Sequence, residues 1–302
     1  MSNTEVTIAE ILKEADYSTG IFGKWHLGDN YPFRPSEQGF DESIIHLAGG
    51  IGQVGDFTNY YKGNTSYFDP ILWKNNKQNQ YKGYCSDIFA ENAIEFIEKN
   101  KNNSFFCYLS FNAPHTPLQV PEKYYNMYKD LDPELGFKGE SLALKMSKKD
   151  KEDARRIYGM VTNIDDNFGK VLNKLTELGI EEDTIIIFMT DNGPQQFRYN
   201  SNMKGLKGAV YNGGTRVPFY IKYAEKFKNS KVISRMSAHI DILPTILELC
   251  NLKIPSDRKI DGQSLVPLIN SKPFNDRYLF SYWTRRFPEK YINMSIQNDN
   301  YK

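Results

Sequence analysis

The sequence predicts an α/β fold in which a mainly parallel central sheet is flanked by helices. Two apolar runs, residues 105–111 and 184–189, lack polar alternation, which is typical of strands buried on both faces of a parallel sheet. Residues 86–100 and 152–178 carry apolar side chains at three- to four-residue spacing, which predicts amphipathic helices. Strands that alternate with helices along the chain favour this fold class.

Local signals place the first elements. Thr7 and Glu10 form a capping-box pattern, which predicts that a helix opens the chain over residues 7–16. A short strand over residues 19–26 follows it. The long segment 29–80 is rich in glycine, asparagine, tyrosine and proline, so we expect it to be mostly loop.

The later elements follow a second irregular segment, residues 118–150. A third buried strand is expected over residues 217–223, after a glycine-rich turn. Asp241 is in position to cap a helix that continues through Leu249, with Pro244 accommodated in its first turn.

Charge and hydropathy exclude two classes of function. The 302 residues carry a formal net charge of +1, which argues against a general affinity for nucleic acid or for membrane surfaces. No apolar stretch approaches the roughly 20 residues of a transmembrane helix, so no membrane span is expected. Anion binding would therefore need a local cluster of cations.

Polar side chains follow three of the predicted strands. Lys24 and His26 end the first strand, and their two-residue spacing places them on one side of an extended chain. His115 follows the second strand, and Asp191 and Asn192 follow the third. Because ligands of open parallel sheets bind outside the carboxyl ends of the strands, we expect these five residues to converge on one rim.

The residue types on this rim suit a tetrahedral oxyanion held by a metal and by cations. Asp191 and Asn192 offer oxygen ligands, which Ca²⁺ and Mg²⁺ prefer. The lysine and the two histidines offer positive charge and hydrogen-bond donors for sulfate or phosphate. Lys207 adds a cation in a glycine-rich turn over residues 207–218. Taken singly, each residue also fits an ordinary surface or turn position, and only their placement at successive strand ends favours a site.

These motifs, in this order and spacing, resemble the sulfatases of the alkaline phosphatase superfamily. The Gly-Lys-Trp-His-Leu-Gly motif at 23–28 is similar to the second sulfatase signature. Supporting matches lie at residues 39–41, 113–117, 191–193 and 207–218. The resemblance implies an alkaline phosphatase-like fold and hydrolysis of sulfate esters by the hydrate of a formylglycine, with a bound Ca²⁺.

The resemblance also implies a role for each site residue. Metal ligands and sulfate-contacting groups are expected to lie together, with one histidine assisting proton transfer. The implied metal ligands are Asp191 and Asn192, the catalytic residues are Lys24, His26 and His115, and the sulfate-binding residues are Lys24, His115 and Lys207.

The nucleophile motif of the family, Cys or Ser followed by x-Pro-x-Arg, does not occur in the sequence. The most similar stretch begins at Ser271 and ends in asparagine instead of arginine. The paired N-terminal aspartates of the family are missing as well. We therefore expect residues 1–275 to form a sulfatase α/β domain without its first strand, residues 276–302 to begin a truncated C-terminal subdomain, and the chain alone to be inactive.

The sequence leaves the substrate open. A sulfate ester of an aryl group or a carbohydrate is expected, so the partner would be a sulfated small molecule or glycan. Two alternatives fit the same residues: a phosphonate or phosphate-ester hydrolase of the same superfamily, and a non-catalytic protein that binds sulfated glycans. A periplasmic or secreted location is implied by family analogy alone.

Overall fold

A computed structural model describes residues 4–137, 145–285, 287 and 289–302 of the chain. The chain packs into two compact units, Met1–Glu181 (unit 1) and Glu182–Lys302 (unit 2). Helices flank the sheet of unit 1, so the predicted α/β class is confirmed. Within the described residues, no helix has both the length and the apolar character needed to cross a membrane.

Unit 1 contains a five-stranded sheet and the longest helix of the described chain. Its elements are α1 (Ile8–Glu14), β1 (Ser18–Lys24), β2 (Glu42–His46), β3 (Ile71–Lys74), β4 (Lys77–Gln80), α2 (Cys85–Asn100), β5 (Phe105–Ser110), α3 (Glu122–Tyr125) and α4 (Lys148–Glu177). The strand order is β4-β3-β2-β1-β5. β1 runs parallel to β2 and β5, whereas β3 pairs antiparallel with both β2 and β4. The sheet is therefore mixed, and its parallel part is the three strands β2, β1 and β5.

The predicted capping box opens α1 as expected. Thr7 Oγ1 accepts a hydrogen bond from the Glu10 amide at 3.1 Å. Glu10 Oε2 accepts one from the Thr7 amide at 2.7 Å. Both contacts satisfy amide donors that have no partner within the helix.

The segment 29–80 is mostly loop, as expected, but it also contains three strands of the sheet. β3 and β4 form a hairpin closed by Asn75 and Asn76, whose φ angles are 45° and 67°. Positive φ at both central residues is the geometry of the tight turns that join twisted antiparallel strands. β2 is buried because it pairs with β1, a partner about 20 residues earlier that local sequence does not reveal.

The segment 118–150 is irregular apart from short elements. It contains α3, a 3₁₀ turn at Pro133–Phe137 and the start of α4, and residues 138–144 lie outside the described residues.

The core of unit 1 holds α2 against the sheet and α4 against α2. Phe96 of α2 packs on Phe22 of β1 with ring centroids 5.6 Å apart. Asp87 of α2 accepts hydrogen bonds from the amide groups of Asn163 (2.8 Å) and Asn167 (2.7 Å) of α4. Both asparagines are buried, so this polar contact fixes the helix pair at a defined register.

Unit 2 contains two small sheets and short helices. Its elements are β6 (Ile186–Met189), α5 (Asn212–Thr215), β7 (Phe219–Lys222), α6 (Ile242–Leu249), α7 (Val266–Ile269), β8 (Leu279–Tyr282) and β9 (Met294–Gln297). β6 pairs antiparallel with β7, and β8 pairs antiparallel with β9. The two strands predicted for this region exist, but the prediction that they run parallel was wrong. A parallel pair needs a long crossover connection, and the connection here contains only the four-residue α5 and no crossover helix.

Asp241 occupies the N-cap position of α6, as expected, but its side chain makes no cap bond to that helix. A 3₁₀ turn over His239–Asp241 precedes the helix, and the Asp241 side chain belongs to the capping box of that turn. Its fully buried carboxylate accepts hydrogen bonds from Arg277 Nη1 at 2.6 Å, from the Gln263 amide at 2.9 Å and from the Ala238 amide at 2.8 Å. Arg277 Nη2 contacts the second oxygen, so the pair is bidentate.

Candidate functional site

The carboxyl ends of the parallel strands of unit 1 meet at one edge of the sheet. β1 ends at Lys24, β2 at His46 and β5 at Ser110, and Lys24 lies opposite His46 in the β1–β2 register. Ser110 Oγ donates to the Lys24 carbonyl at 2.8 Å, which ties the ends of β1 and β5 together. Side chains that leave these strand ends are therefore close in space.

His26 lies just past the end of β1. The strand stops at Lys24, and His26 is exposed with a φ of 58°, so the strand alternation that we expected to align the two side chains does not apply to His26. Its amide donates to the Leu47 carbonyl at 3.1 Å. The intervening Trp25 is buried, and its Nε1 donates to the Phe33 carbonyl at 2.8 Å. Trp25 thus anchors the turn that carries His26.

His115 lies on the loop that follows β5. Its Nδ1 donates to the Thr116 carbonyl at 2.8 Å, because a carbonyl can only accept. The His115 carbonyl accepts from Tyr67 Oη at 2.7 Å. Gln53 Nε2 donates to the Thr116 carbonyl at 2.8 Å and to its Oγ1 at 2.7 Å. Contacts from the segment between β2 and β3 therefore hold this loop in place.

The buried His46 lies within electrostatic range of Lys24, His26 and His115. Its side chain is 1% exposed, and burial lowers the pKa of its imidazole to about 3, with further lowering by the charges of Lys24, His115 and His26. Neither ring nitrogen makes a well-formed hydrogen bond, and only a weak interaction with the Ala48 backbone acts to raise the pKa. Lys24, His26 and His115 of unit 1 therefore all lie near one neutral histidine.

Two glycines of this cluster were not among the predicted site residues. A Cβ at Gly49 would lie 2.9 Å from Cε1 and Nε2 of His26, and one at Gly50 would lie 3.1 Å from Nδ1 of His115. Any larger residue would displace one of the two imidazoles. The signal in the sequence is the pair of adjacent glycines itself, because glycine is used where the backbone approaches other groups closely.

Unit 2 holds the other predicted residues. Asp191 and Asn192 lie in the turn directly after β6, and Asp191 Oδ1 accepts from the Asn192 amide at 2.8 Å. The Lys207 amide donates to the Pro194 carbonyl at 2.8 Å, so Lys207 lies on a segment that packs against this turn. Within unit 2 the predicted metal ligands and the predicted sulfate-binding lysine are therefore on adjoining segments.

His239 supports the same turn. Its Nε2 donates to the Thr190 carbonyl at 2.8 Å, directly before Asp191. This contact gives His239 a structural role in unit 2.

Asp191 and Asn192 supply only part of a metal site. Ca²⁺ takes six to eight oxygen ligands. Across residues 4–137, 145–285, 287 and 289–302, no group of three or more His, Cys, Asp or Glu side chains is placed to hold a metal ion. Two residues do not form a complete calcium site. The convergence of the unit 1 and unit 2 groups on a single rim stays a prediction.

Unit 1 is an α/β unit that carries a lysine and two histidines at or just past the carboxyl ends of its parallel strands. The chain belongs to the sulfatase family: the Sulfatase family profile matches residues 2–252. A second profile, N-sulphoglucosamine sulphohydrolase, C-terminal, matches residues 206–302. The predicted family is thus confirmed.

Relatives and solved structures agree with this assignment. The N-acetylgalactosamine-6-sulfatase of Mus musculus is 29% identical over 93% of this chain and 52% of its own length. The ulvan-active sulfatase of Formosa agariphila is 30% identical over 92% of this chain and 52% of its own length. The crystal structure of Ps i-CgsB in complex with k-i-k-neocarrahexaose is 29% identical with a TM-score of 0.76, covering 94% of this chain and 63% of that one. The chain spans about half the length of these two curated relatives.

Proposed function

We propose that the protein to which this chain belongs hydrolyses sulfate esters of a carbohydrate. The observation that carries the proposal is the grouping of Lys24, His26 and His115 around His46 at one edge of the unit 1 sheet. Two relatives are named for N-acetylgalactosamine and for ulvan, which supports a carbohydrate ester, whereas a relative from Clostridium perfringens is named arylsulfatase.

Three side chains have distinct proposed roles toward the sulfate ester. Positive charge from Lys24 stabilises the negative charge that builds up on the sulfuryl oxygens, a contribution that grows in a partly buried setting. His115 Nδ1 is engaged with the Thr116 carbonyl, so Nε2 is the ring nitrogen that we assign to the sulfate. We assign His26 or His115 as the donor of a proton to the departing sugar oxygen.

We also assign Asp191 and Asn192 as two ligands of a divalent cation, with Ca²⁺ as the ion implied by the family. Their oxygen donors support this assignment. Lys207, on the adjoining segment of unit 2, is proposed to contact a sulfate oxygen. When bound, such a cation would withdraw charge from the sulfate and the nucleophile.

For the 302-residue chain by itself, we propose sulfate binding with negligible hydrolysis. The Cys/Ser-x-Pro-x-Arg motif from which the family makes its formylglycine nucleophile does not occur in it. Release of sulfate from 4-nitrocatechol sulfate at steady multiple turnover by the purified chain would contradict this part of the proposal.

Sulfate binding tests the site directly. We expect isothermal titration of the full chain with sodium sulfate to give an affinity that falls about tenfold or more in Lys24→Met, since a charge-assisted contact is worth roughly 1.5–3 kcal/mol. Lys82→Met, which removes the same charge from an exposed position of unit 1, is the matched control and should bind like the wild type. Equal affinity in the Lys24 and Lys82 variants would remove the basis for the proposed site.

Binding without hydrolysis is the second candidate function, and the missing nucleophile motif favours it. A protein of this kind would bind sulfated glycans through Lys24 and Lys207 without releasing sulfate. Loss of glycan binding in Lys24→Ala and Lys207→Ala, together with no sulfate release from any ester by the complete natural protein, would favour this candidate.

A further inference from the structure

A group of exposed aromatic residues lies on the loop between β2 and β3. This aromatic loop is defined here as residues 53–61. Phe57 is 89% exposed and Tyr61 is 71% exposed, and Tyr60 is also largely open to solvent. Large apolar side chains that share one short loop in this way are a common mark of a binding surface.

The exposure of these rings is fixed by the backbone. On either side of Phe57, Asp56 and Thr58 are buried, and Asp56 Oδ1 accepts from Thr58 Oγ1 at 2.6 Å. Asp56 Oδ2 accepts from the Gly52 amide at 2.7 Å, and the Asp56 carbonyl accepts from the Tyr60 amide at 3.0 Å. The loop is therefore organised around a buried carboxylate, with its aromatic rings directed to solvent.

The aromatic loop is tied to the loop that carries His115. Gln53, at its start, donates from Nε2 to both the carbonyl and the Oγ1 of Thr116. A Cβ at Gly50 would lie 3.0 Å from Gln53 Oε1 and 3.1 Å from His115 Nδ1, so these side chains pack together. The exposed aromatic rings and the proposed sulfate-binding residue His115 thus lie on two loops that contact each other.

This juxtaposition fits one kind of ligand. A pyranose ring has an apolar face of C–H groups that packs on an aromatic ring, and a sulfated sugar adds an anion at the edge of such a surface. We propose that Phe57 and Tyr61 bind the sugar ring next to the sulfated one, so that the site accepts a sulfated oligosaccharide in preference to a single sulfated sugar. The inference rests on the proposed function for the placement of sulfate at Lys24 and His115.

The two parts of the ligand can be tested separately. Isothermal titration of the full chain would use inorganic sulfate, galactose 6-sulfate, a tetrasaccharide that carries galactose 6-sulfate, and its desulfated counterpart. We expect Phe57→Ala to weaken tetrasaccharide binding about tenfold while its affinity for inorganic sulfate stays unchanged. Phe57→Trp should retain tetrasaccharide binding, and Tyr291→Ala, which removes an equally exposed ring from unit 2, is the matched control.

Each outcome decides between the two proposals. Wild-type affinity for the tetrasaccharide in Phe57→Ala, in a chain that still binds sulfate, would overturn the aromatic loop as a sugar site and leave the sulfate site standing. Phe57-dependent binding of the desulfated tetrasaccharide without any sulfate binding would support the sugar site and refute the sulfate site. Absence of binding to all four probes would overturn both. A melting temperature for Phe57→Ala equal to that of the wild type would show that the fold is retained.

Discussion

Protonation of His46 should make the folded chain acid-sensitive. The folded-state pKa of about 3 lies below the ordinary value of 6.5, mainly because the imidazole is buried, so the unfolded chain binds one more proton between these two pH values. Acid therefore favours unfolding over this range. Each pH unit is worth about 1.4 kcal/mol, so a fall from pH 6.5 to pH 5 should lower the free energy of unfolding by ~2 kcal/mol through His46 alone.

Other groups also titrate in this range, so the measurement is a difference between two proteins. The free energy of urea unfolding, followed by circular dichroism, would be compared between the wild type and His46→Phe at pH 8, 7, 6 and 5. The substituted ring can pack near Phe89, whose ring centroid is 6.4 Å from that of His46. Between pH 8 and pH 5, the free energy of unfolding of His46→Phe should rise by ~2 kcal/mol relative to that of the wild type.

His46→Gln serves as a second variant if the phenylalanine does not fit. A difference between the wild type and both His46 variants that stays constant from pH 8 to pH 5 would refute the reasoning.

Three further changes test other features. Gly49→Ala should weaken sulfate binding several-fold in isothermal titration, because the added Cβ would lie 2.9 Å from the His26 ring. Arg277→Met should lower the free energy of urea unfolding of unit 2 by about 3–5 kcal/mol, because it leaves the Asp241 carboxylate buried without its charge partner. Calcium binding to the full chain should be no tighter than about millimolar and should disappear in Asp191→Ala, because affinity follows the number of charged ligands.

The glycine and arginine changes each have a control in the same chain. Gly169→Ala adds a methyl group in α4 with nothing within 4 Å and should leave sulfate binding unchanged. Arg258→Met breaks a partly exposed ion pair with Asp257 and should cost less than ~1 kcal/mol. Micromolar calcium affinity that survives in Asp191→Ala would place the metal elsewhere.

The parts of the site that the sequence could predict are those with a local signal. Lys24, His26 and His115 stand at strand ends, and an apolar run that stops at a polar cluster is readable from the residues alone. The charged surroundings of His46 were not readable, because they arise from the pairing of β2 with β1, and β2 has only five residues.

Strand direction and ion pairing depend on partners distant in sequence. The apolar residues of β6 and β7 read the same in a parallel or an antiparallel pair, so their antiparallel arrangement could not be taken from the pattern. Asp241 looked like a helix cap because Asp is favoured there, but its carboxylate is claimed by Arg277, 36 positions later. The ion pair with Arg277 therefore outweighs the local preference of Asp241 for capping α6.

The ion pair between Asp241 and Arg277 should also affect the order in which unit 2 folds during synthesis. During synthesis, α6 leaves the ribosome with a carboxylate that must be buried, yet the guanidinium that neutralises it is made 36 residues later. Until then, burial of Asp241 would carry the cost of an uncompensated charge, so we expect α6 to pack stably only after the residues just before β8 are made. The predicted boundary at residue 275 falls between the two partners. A polypeptide that stopped there would be held at this unfinished stage.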